Sequence, residues 1–258
     1  MDNVLVINDY SKTSLAVFDY TISLFKGEKV KVSLFDISNS LNNEAKTFIS
    51  NKKSLFDRKY ELDAEADLLL ELGKIIDKKL IDIIILTTKF NSQESDKFIG
   101  EKVSKIITSG FGIPILLVPH NYNYSFIEKI TFLTDFKKSF NSPELREFIK
   151  IALIYKSTIE VLNLAEGNSF SEEQENNKKD LEAYFEDMEI NYISSDEKNS
   201  NLFSIKKDID GLDSQMIVFV NHQRVFFNAL TENNGIYNRD FYSKVPILIL
   251  PSIHGNLT

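Results

Sequence analysis

The chain has 258 residues, 43% of them hydrophobic, no cysteine, and a net charge of −8 from 30 Lys+Arg against 38 Asp+Glu. Disulfides, thiolate metal sites and cysteine nucleophiles are thereby excluded, and without any block of basic residues a nucleic-acid partner is not expected. No stretch of 18 apolar residues occurs and the opening MDNVLVINDY lacks a positively charged leader pattern, so a cytoplasmic protein with no membrane attachment is expected.

In chain order, Val4–Ile7 is an apolar run suited to a strand buried on both faces. Ser11 to Lys26 carries Leu15, Phe18, Ile22 and Phe25 at helical spacing, and Gly27 stands where a helix stops. Lys31 to Ile37 predicts a second strand and Asn42 to Phe56 a helix. Leu62 to Leu80, with Leu62, Leu69, Leu72, Ile76 and Leu80 on one face, predicts a further helix. A buried strand over Ile83–Thr87, a last helix and the proline-bounded run IPILLVP (113–119) close the half.

The second half repeats the scheme. An apolar run leads to Asp135, and Leu145, Phe148, Ala152 and Tyr155 space out a helix with Ser142 as its N-cap and Pro143 in its first turn. Thr158 to Leu164 predicts a strand. The polar run Ser169 to Lys179 leads into the stretch Leu181 to Met188, followed by a strand over Ile190 to Ile193 and a helix near Leu202 to Ile209. Met216–Val220 and VPILILP (245–251) match the two closing strands of the first half. A repeat this long is a duplicated domain rather than a solenoid unit. Strands alternating with helices imply right-handed crossovers and a parallel sheet covered on both faces. The expected fold is therefore α/β, two tandem doubly wound five-stranded parallel-sheet domains, residues 1–120 and 127–258, joined by the short linker His120 to Phe126. In each, the ligand crevice should lie at the carboxyl ends of the strands.

The residues VINDYSKTS and FLTDFKKSF, the second-strand ends FDI and LNLAE, the run DIIILTT and the closing IPILLVP and VPILILP together resemble a tandem universal stress protein, from Val4 to Pro251. That resemblance implies the adenine nucleotide alpha hydrolase-like fold, a stress-response role, and an adenine contact at Asp9 and Asp135. It also implies a glycine-rich loop, G-x2-G-x9-G-[ST], that cradles phosphates at the start of the last helix. Here the corresponding stretch is TTKFNSQESDKFIGEKVSKI: the two leading glycines are absent, Gly100 alone survives, and Glu101 replaces the hydroxyl residue. In the second half, VNHQRVFFNALTENNGIYN is further from the pattern, with Phe226 and Phe227 in the loop.

Two readings of the aspartates compete. In one, Asp9, Ile37, Thr87 and Gly100 line a reduced pocket for AMP or ATP; in the other, Asp9 and Asp135 cap the helices that follow them, and the cap is preferred. Gly100 reads as a tight helix entry. His120, His222 and His254 are scattered without metal-ligand spacing and read as loop residues, while Glu65 with Asp67 and Glu172 with Glu173 read as solvated faces. No G-x-S-x-G or P-loop lysine motif anchors hydrolase or kinase chemistry. The expectation is a non-catalytic binding and regulatory protein without metal or cofactor. It would act through protein partners with ATP binding weak or lost, the alternative being an adenine-nucleotide binder. The duplication also implies an intramolecular pseudo-dimer through the closing strands, with a homodimer left open.

Overall fold

Short apolar runs dominate the strands, and all but Arg58–Glu61 and Ile190–Ser194 are buried along most of their length, as parallel sheets require when helices cover both faces. The computed structural model describes residues 1–38, 47, 58–62, 66–90, 98–120, 122–165, 169–194, 202–222, 227–228 and 243–253. The chain divides into two compact units, Met1–Tyr124 and Ser125–Thr258.

Unit 1 contains β1 (Asn3–Asn8), α1 (Lys12–Leu24), β2 (Lys31–Asp36), β3 (Arg58–Glu61), α2 (Leu68–Lys79), β4 (Ile83–Thr87), α3 (Glu101–Thr108) and β5 (Ile115–Val118). Its strands lie in the order β3-β2-β1-β4-β5, all pairs parallel. Sequence order reverses at the β1–β4 boundary, which places the switch-point crevice beyond the ends of those two strands. Unit 2 contains β6 (Lys129–Thr134), α4 (Ser142–Tyr155), β7 (Thr158–Asn163), α5 (Glu172–Tyr184), β8 (Ile190–Ser194), α6 (Leu202–Gly211), β9 (Met216–Val220) and β10 (Ile247–Leu250). Its order is β10-β9-β6-β7-β8, again parallel, with the switch point between β6 and β9.

The same backbone bonds hold both sheets. The Ile37 N–H donates to Asn8 O at 2.9 Å in unit 1, as Leu164 N–H does to Thr134 O at 2.8 Å in unit 2. At the opposite edge, Asp82 Oδ2 accepts from the Asp2 and Asn3 amides, and Gln215 Oε1 accepts from the Glu128 and Lys129 amides. A carboxylate in one unit and a carboxamide in the other do the same work of satisfying the first amides of the central strand.

Several expected boundaries move, for physical reasons. The helix read over Leu62 to Leu80 begins at Leu68, because Asp67 caps it by accepting from the Leu70 N–H at 2.9 Å. Leu62 instead follows β3, its N–H donating to Asp36 O at 2.8 Å, and Leu80 is an exposed left-handed C-cap with φ 51°. The stripe that this helix buries is Leu72, Ile75 and Ile76. In α1 the buried stripe runs through Val17, Phe18, Thr21, Leu24 and Phe25, with Ile22 only half-buried. Gly27 ends that segment at φ 93°, a conformation that costs a side-chain-bearing residue strain. The N-cap of α4 is Asn141 rather than Ser142, in a reciprocal capping box with Glu144. The polar run after Ser169 is itself helix: α5 starts from a Ser171–Gln174 capping box and ends at Tyr184. Of the helix expected over Asn42 to Phe56 only Thr47 is described, and of the last helix of the second half only Phe227 and Asn228; all three are helical, and the rest of each expected helix lies outside the described residues.

Candidate functional site

Three strand ends of unit 1 carry a row of buried polar side chains. Asp36 on β2 is in register with Asn8 on β1, and continuing the Val6–Ile85 register puts Thr87 of β4 on the same face as Asn8. All three are almost fully buried. Beyond them the chain makes a tight turn. Asn8 Oδ1 accepts from the Tyr10 N–H at 2.7 Å and Asn8 Nδ2 donates to Ser14 O at 2.8 Å, while Tyr10 is held at φ 57° with its ring buried. Asp9 Oδ1 accepts from the Ser11 N–H at 3.0 Å, from Ser11 Oγ at 2.6 Å and from Ser14 Oγ at 2.6 Å.

These bonds assign Asp9 a structural task that differs from the expected one. Ser11, not Asp9, is the N-cap of α1, and the Ser11 side chain makes no cap bond. The Asp9 carboxylate therefore closes the turn that delivers the chain to the cap instead of capping the helix itself. Asp135 behaves alike. Its Oδ1 accepts from the Lys137 N–H at 3.0 Å, Thr134 Oγ1 accepts from the Phe136 N–H at 3.0 Å, and the helix cap lies further on at Asn141. Capping of α1 and α4 by these aspartates is thus corrected to closure of the same turn in both units, with Tyr10 and Phe136 at nearly equal positive φ of 57° and 55°.

Around Tyr10 sits a charge cluster that sequence inspection missed. Lys59 Nζ lies 3.0 Å from Asp36 Oδ2, 2.6 Å from Glu61 Oε1 and 5.7 Å from the centre of the Tyr10 ring. Asp36 Oδ1 also accepts from the Ser38 N–H and Oγ at 2.9 and 2.7 Å. Burial works against the charge of Lys59, but its bonds to Glu61 and Asp36 outweigh that and raise its pKa. Burial, with Asp36 and Glu61 adding to it, pushes the Tyr10 hydroxyl well above the usual tyrosine range. The signal available in the sequence was the alternation in RKYE, which turns Lys59 and Glu61 to one face of a strand.

The other sequence-predicted residues fall at the same edge. Ile37 is buried and fixed by its bond to Asn8. Gly100 is the N-cap of α3 at φ −71°, its N–H donating to Thr88 O at 2.8 Å, so no special glycine conformation is required. The buried hydroxyls of Thr87 and Thr88 have no hydrogen-bond partner among the described residues. Glu101 opens α3 with a largely exposed carboxylate, 2.9 Å from Lys105 Nζ one turn on. Phe98 and Ile99, just before Gly100, are buried, as is Phe90. His120 and Lys89 border the edge; burial and then the Lys89 charge lower the His120 pKa.

In unit 2 the corresponding edge is packed by aromatic groups. The Phe136 ring lies 5.4 Å from that of Phe170, and α5 locks the turn from above, Gln174 Nε2 donating to Asp135 O and Asn177 Nδ2 to Phe136 O, both at 2.8 Å. Among the described residues no group of three or more His, Asp or Glu is arranged to hold a metal. His222 sits 6.0 Å from the Phe140 ring, and His254 is outside the described residues.

No family model and no curated protein matches the chain. Solved structures do. A universal stress protein from Archaeoglobus fulgidus DSM 4304 aligns with 12% identity and a TM-score of 0.60 over 96% of this chain and 97% of its own. A provisional universal stress protein from Pseudomonas aeruginosa UCBPP-PA14 gives 13% and 0.63 over 97% and 93%. The cytoplasmic domain of a prokaryotic cation chloride cotransporter gives 14% and 0.58 over 96% and 95%. At such identities the likeness is one of fold, and the fold is that of the universal stress proteins.

Proposed function

We propose that this chain is a non-catalytic regulatory protein of the universal stress type, cytoplasmic and acting through protein partners, in which ATP binding is weak or lost. The observation that carries the reading is the entry to α3. A phosphate-cradling helix start needs free amides and glycines that let the ligand approach the backbone. Here the Gly100 amide is spent on Thr88 O, the two residues before it, Phe98 and Ile99, are buried apolar side chains, and a carboxylate occupies the first helical position. The charge on Glu101 contributes less than its position suggests, since it is solvent-screened and paired with Lys105. The packing of the entry is the larger obstacle to a triphosphate. Isothermal titration with ATP tests the reading, and binding in the low micromolar range, about −8 kcal/mol, defeats it.

One observation favours a second reading, an adenine-nucleotide binder using unit 1. The Thr87 and Thr88 hydroxyls are buried at the switch point without partners among the described residues, a costly arrangement that a ligand would relieve. AMP, lacking the outer phosphates, is the form this reading takes. Mass spectrometry of the denatured protein for carried-over AMP decides between the two. The recurrence of the same turn and sheet bonds in both units supports descent from a duplicated domain. A pseudo-dimer through the closing strands belongs to the same proposal.

A further inference from the structure

The segment leaving unit 1 carries two tyrosines that do not point away from it. Tyr122 and Tyr124 both pack edge-on against Tyr20 of α1, with ring centroids 5.8 and 5.7 Å away and interplanar angles of 66° and 63°. Tyr20 is itself buried, and the Tyr122 N–H donates to Pro119 O at 2.9 Å, so the segment turns as it leaves β5. Edge-to-face geometry at this spacing sets the negative face of one ring against the positive edge of another, and two such contacts converge on a single side chain. The other end of α1 is the Asp9–Ser11–Ser14 turn of the candidate site. From Ser11 to Tyr20 a helix rises about 13 Å. One rigid element therefore connects the switch-point turn to the ring that holds the exit segment.

We infer that α1 is a coupling element. Tyr20 is the anchor of an aromatic clasp on residues 122–124, and a change at the Asp9 turn reaches the segment joining the two units by tilting or loosening α1 under that clasp. The partners at each end are named and local, and the helix between them is a rigid secondary element of the kind that carries coupling, the two arrangements that coupling requires being the closed and open clasp. Ligand identity does not enter; the coupling stands whether or not a nucleotide binds.

Hydrogen exchange of the full-length protein, read by mass spectrometry on peptides spanning 119–128, tests it. In Tyr20→Ala the amides of 122–124 should exchange about ten-fold faster, because both ring contacts are lost, while Tyr20→Phe should keep wild-type rates. Asp9→Ala should also accelerate exchange in 122–124, by a smaller factor, together with the first turn of α1. Peptides from β6 and β9 report whether the rest of the chain stays folded. If Tyr20→Ala perturbs them, the pair Tyr122→Ala and Tyr124→Ala, both only half-buried, replaces it and should give the same local acceleration. Wild-type exchange in 122–124 after loss of the tyrosine contacts overturns the clasp. Faster exchange at the head of α1 in Asp9→Ala with 122–124 unchanged overturns the coupling.

Discussion

Replacing Asp9 by alanine separates a turn-forming aspartate from a ligand-binding one. In the folded protein its Oδ1 receives three hydrogen bonds, from Ser11 N–H, Ser11 Oγ and Ser14 Oγ. Bonds to a charged acceptor contribute about 1.5–3 kcal/mol when isolated, but these are partly replaceable. Ser14 Oγ keeps Asn8 Oδ1 at 2.8 Å, and Ser11 Oγ keeps Ser14 Oγ at 3.3 Å. The expected cost of Asp9→Ala is therefore about 1–2 kcal/mol, mainly the loss of the bond to the Ser11 amide. Asp135→Ala loses the bond from the Lys137 amide and a loose 3.7 Å pair with Lys137 among its described contacts, while Gln174 still holds the Asp135 backbone carbonyl. Its cost should be about 0.5 kcal/mol. For domains of this size 1 kcal/mol moves Tm by about 3–5 °C, so thermal unfolding followed by circular dichroism resolves the difference. Equal Tm for Asp9→Ala and wild type, or a larger loss in Asp135→Ala than in Asp9→Ala, refutes the turn account.

Lys59→Met strands the buried Asp36 carboxylate without its cation and should destabilise unit 1 by about 2–4 kcal/mol in urea unfolding; a change under about 0.5 kcal/mol means the pair is solvent-screened. Lys59 and Tyr10 both hold their protons more tightly folded than unfolded. Their stabilisation is thus full below about pH 10 and falls as pH rises through the folded values, and Tyr10→Phe should make the alkaline decline shallower. A decline of unchanged steepness counts against that assignment. Glu101→Ser alone should raise ATP affinity by less than about ten-fold, because Lys105 and solvent already offset the carboxylate; recovery of micromolar binding would return the weight to electrostatics. If the closing strands are paired, their amides in 115–118 and 247–250 should resist hydrogen exchange in dilute monomer, whereas fast exchange in alternate residues marks an open edge.

The sheet was readable because its inner strands announce themselves: Val4–Ile7, Ile83–Leu86 and Met216–Val220 are unbroken apolar runs that only a doubly covered strand tolerates. Arg58–Glu61 was not, since an edge strand with one half-exposed face can afford Arg, Lys and Glu. Helix α5 escaped for the related reason that it buries only Asn177 and Leu181, leaving no stripe to detect. At the site, the position of Asp9 followed from the strand–turn–helix pattern, but its role did not. Whether an aspartate caps a helix or closes the preceding turn depends on which amide comes within reach, and that is set by the positive φ at Tyr10. The Asp36–Lys59–Glu61 cluster joins residues from two strands whose register no local pattern encodes.

Titration of ATP with magnesium into the purified protein in a calorimeter reads out whether, as proposed, the entry to α3 excludes a triphosphate. No saturable heat is expected up to about 1 mM ATP, which corresponds to binding weaker than about −4 kcal/mol. A saturable isotherm with a low-micromolar Kd, abolished by Gly100→Val and retained in the denatured-protein mass spectrum as bound ATP, would contradict it.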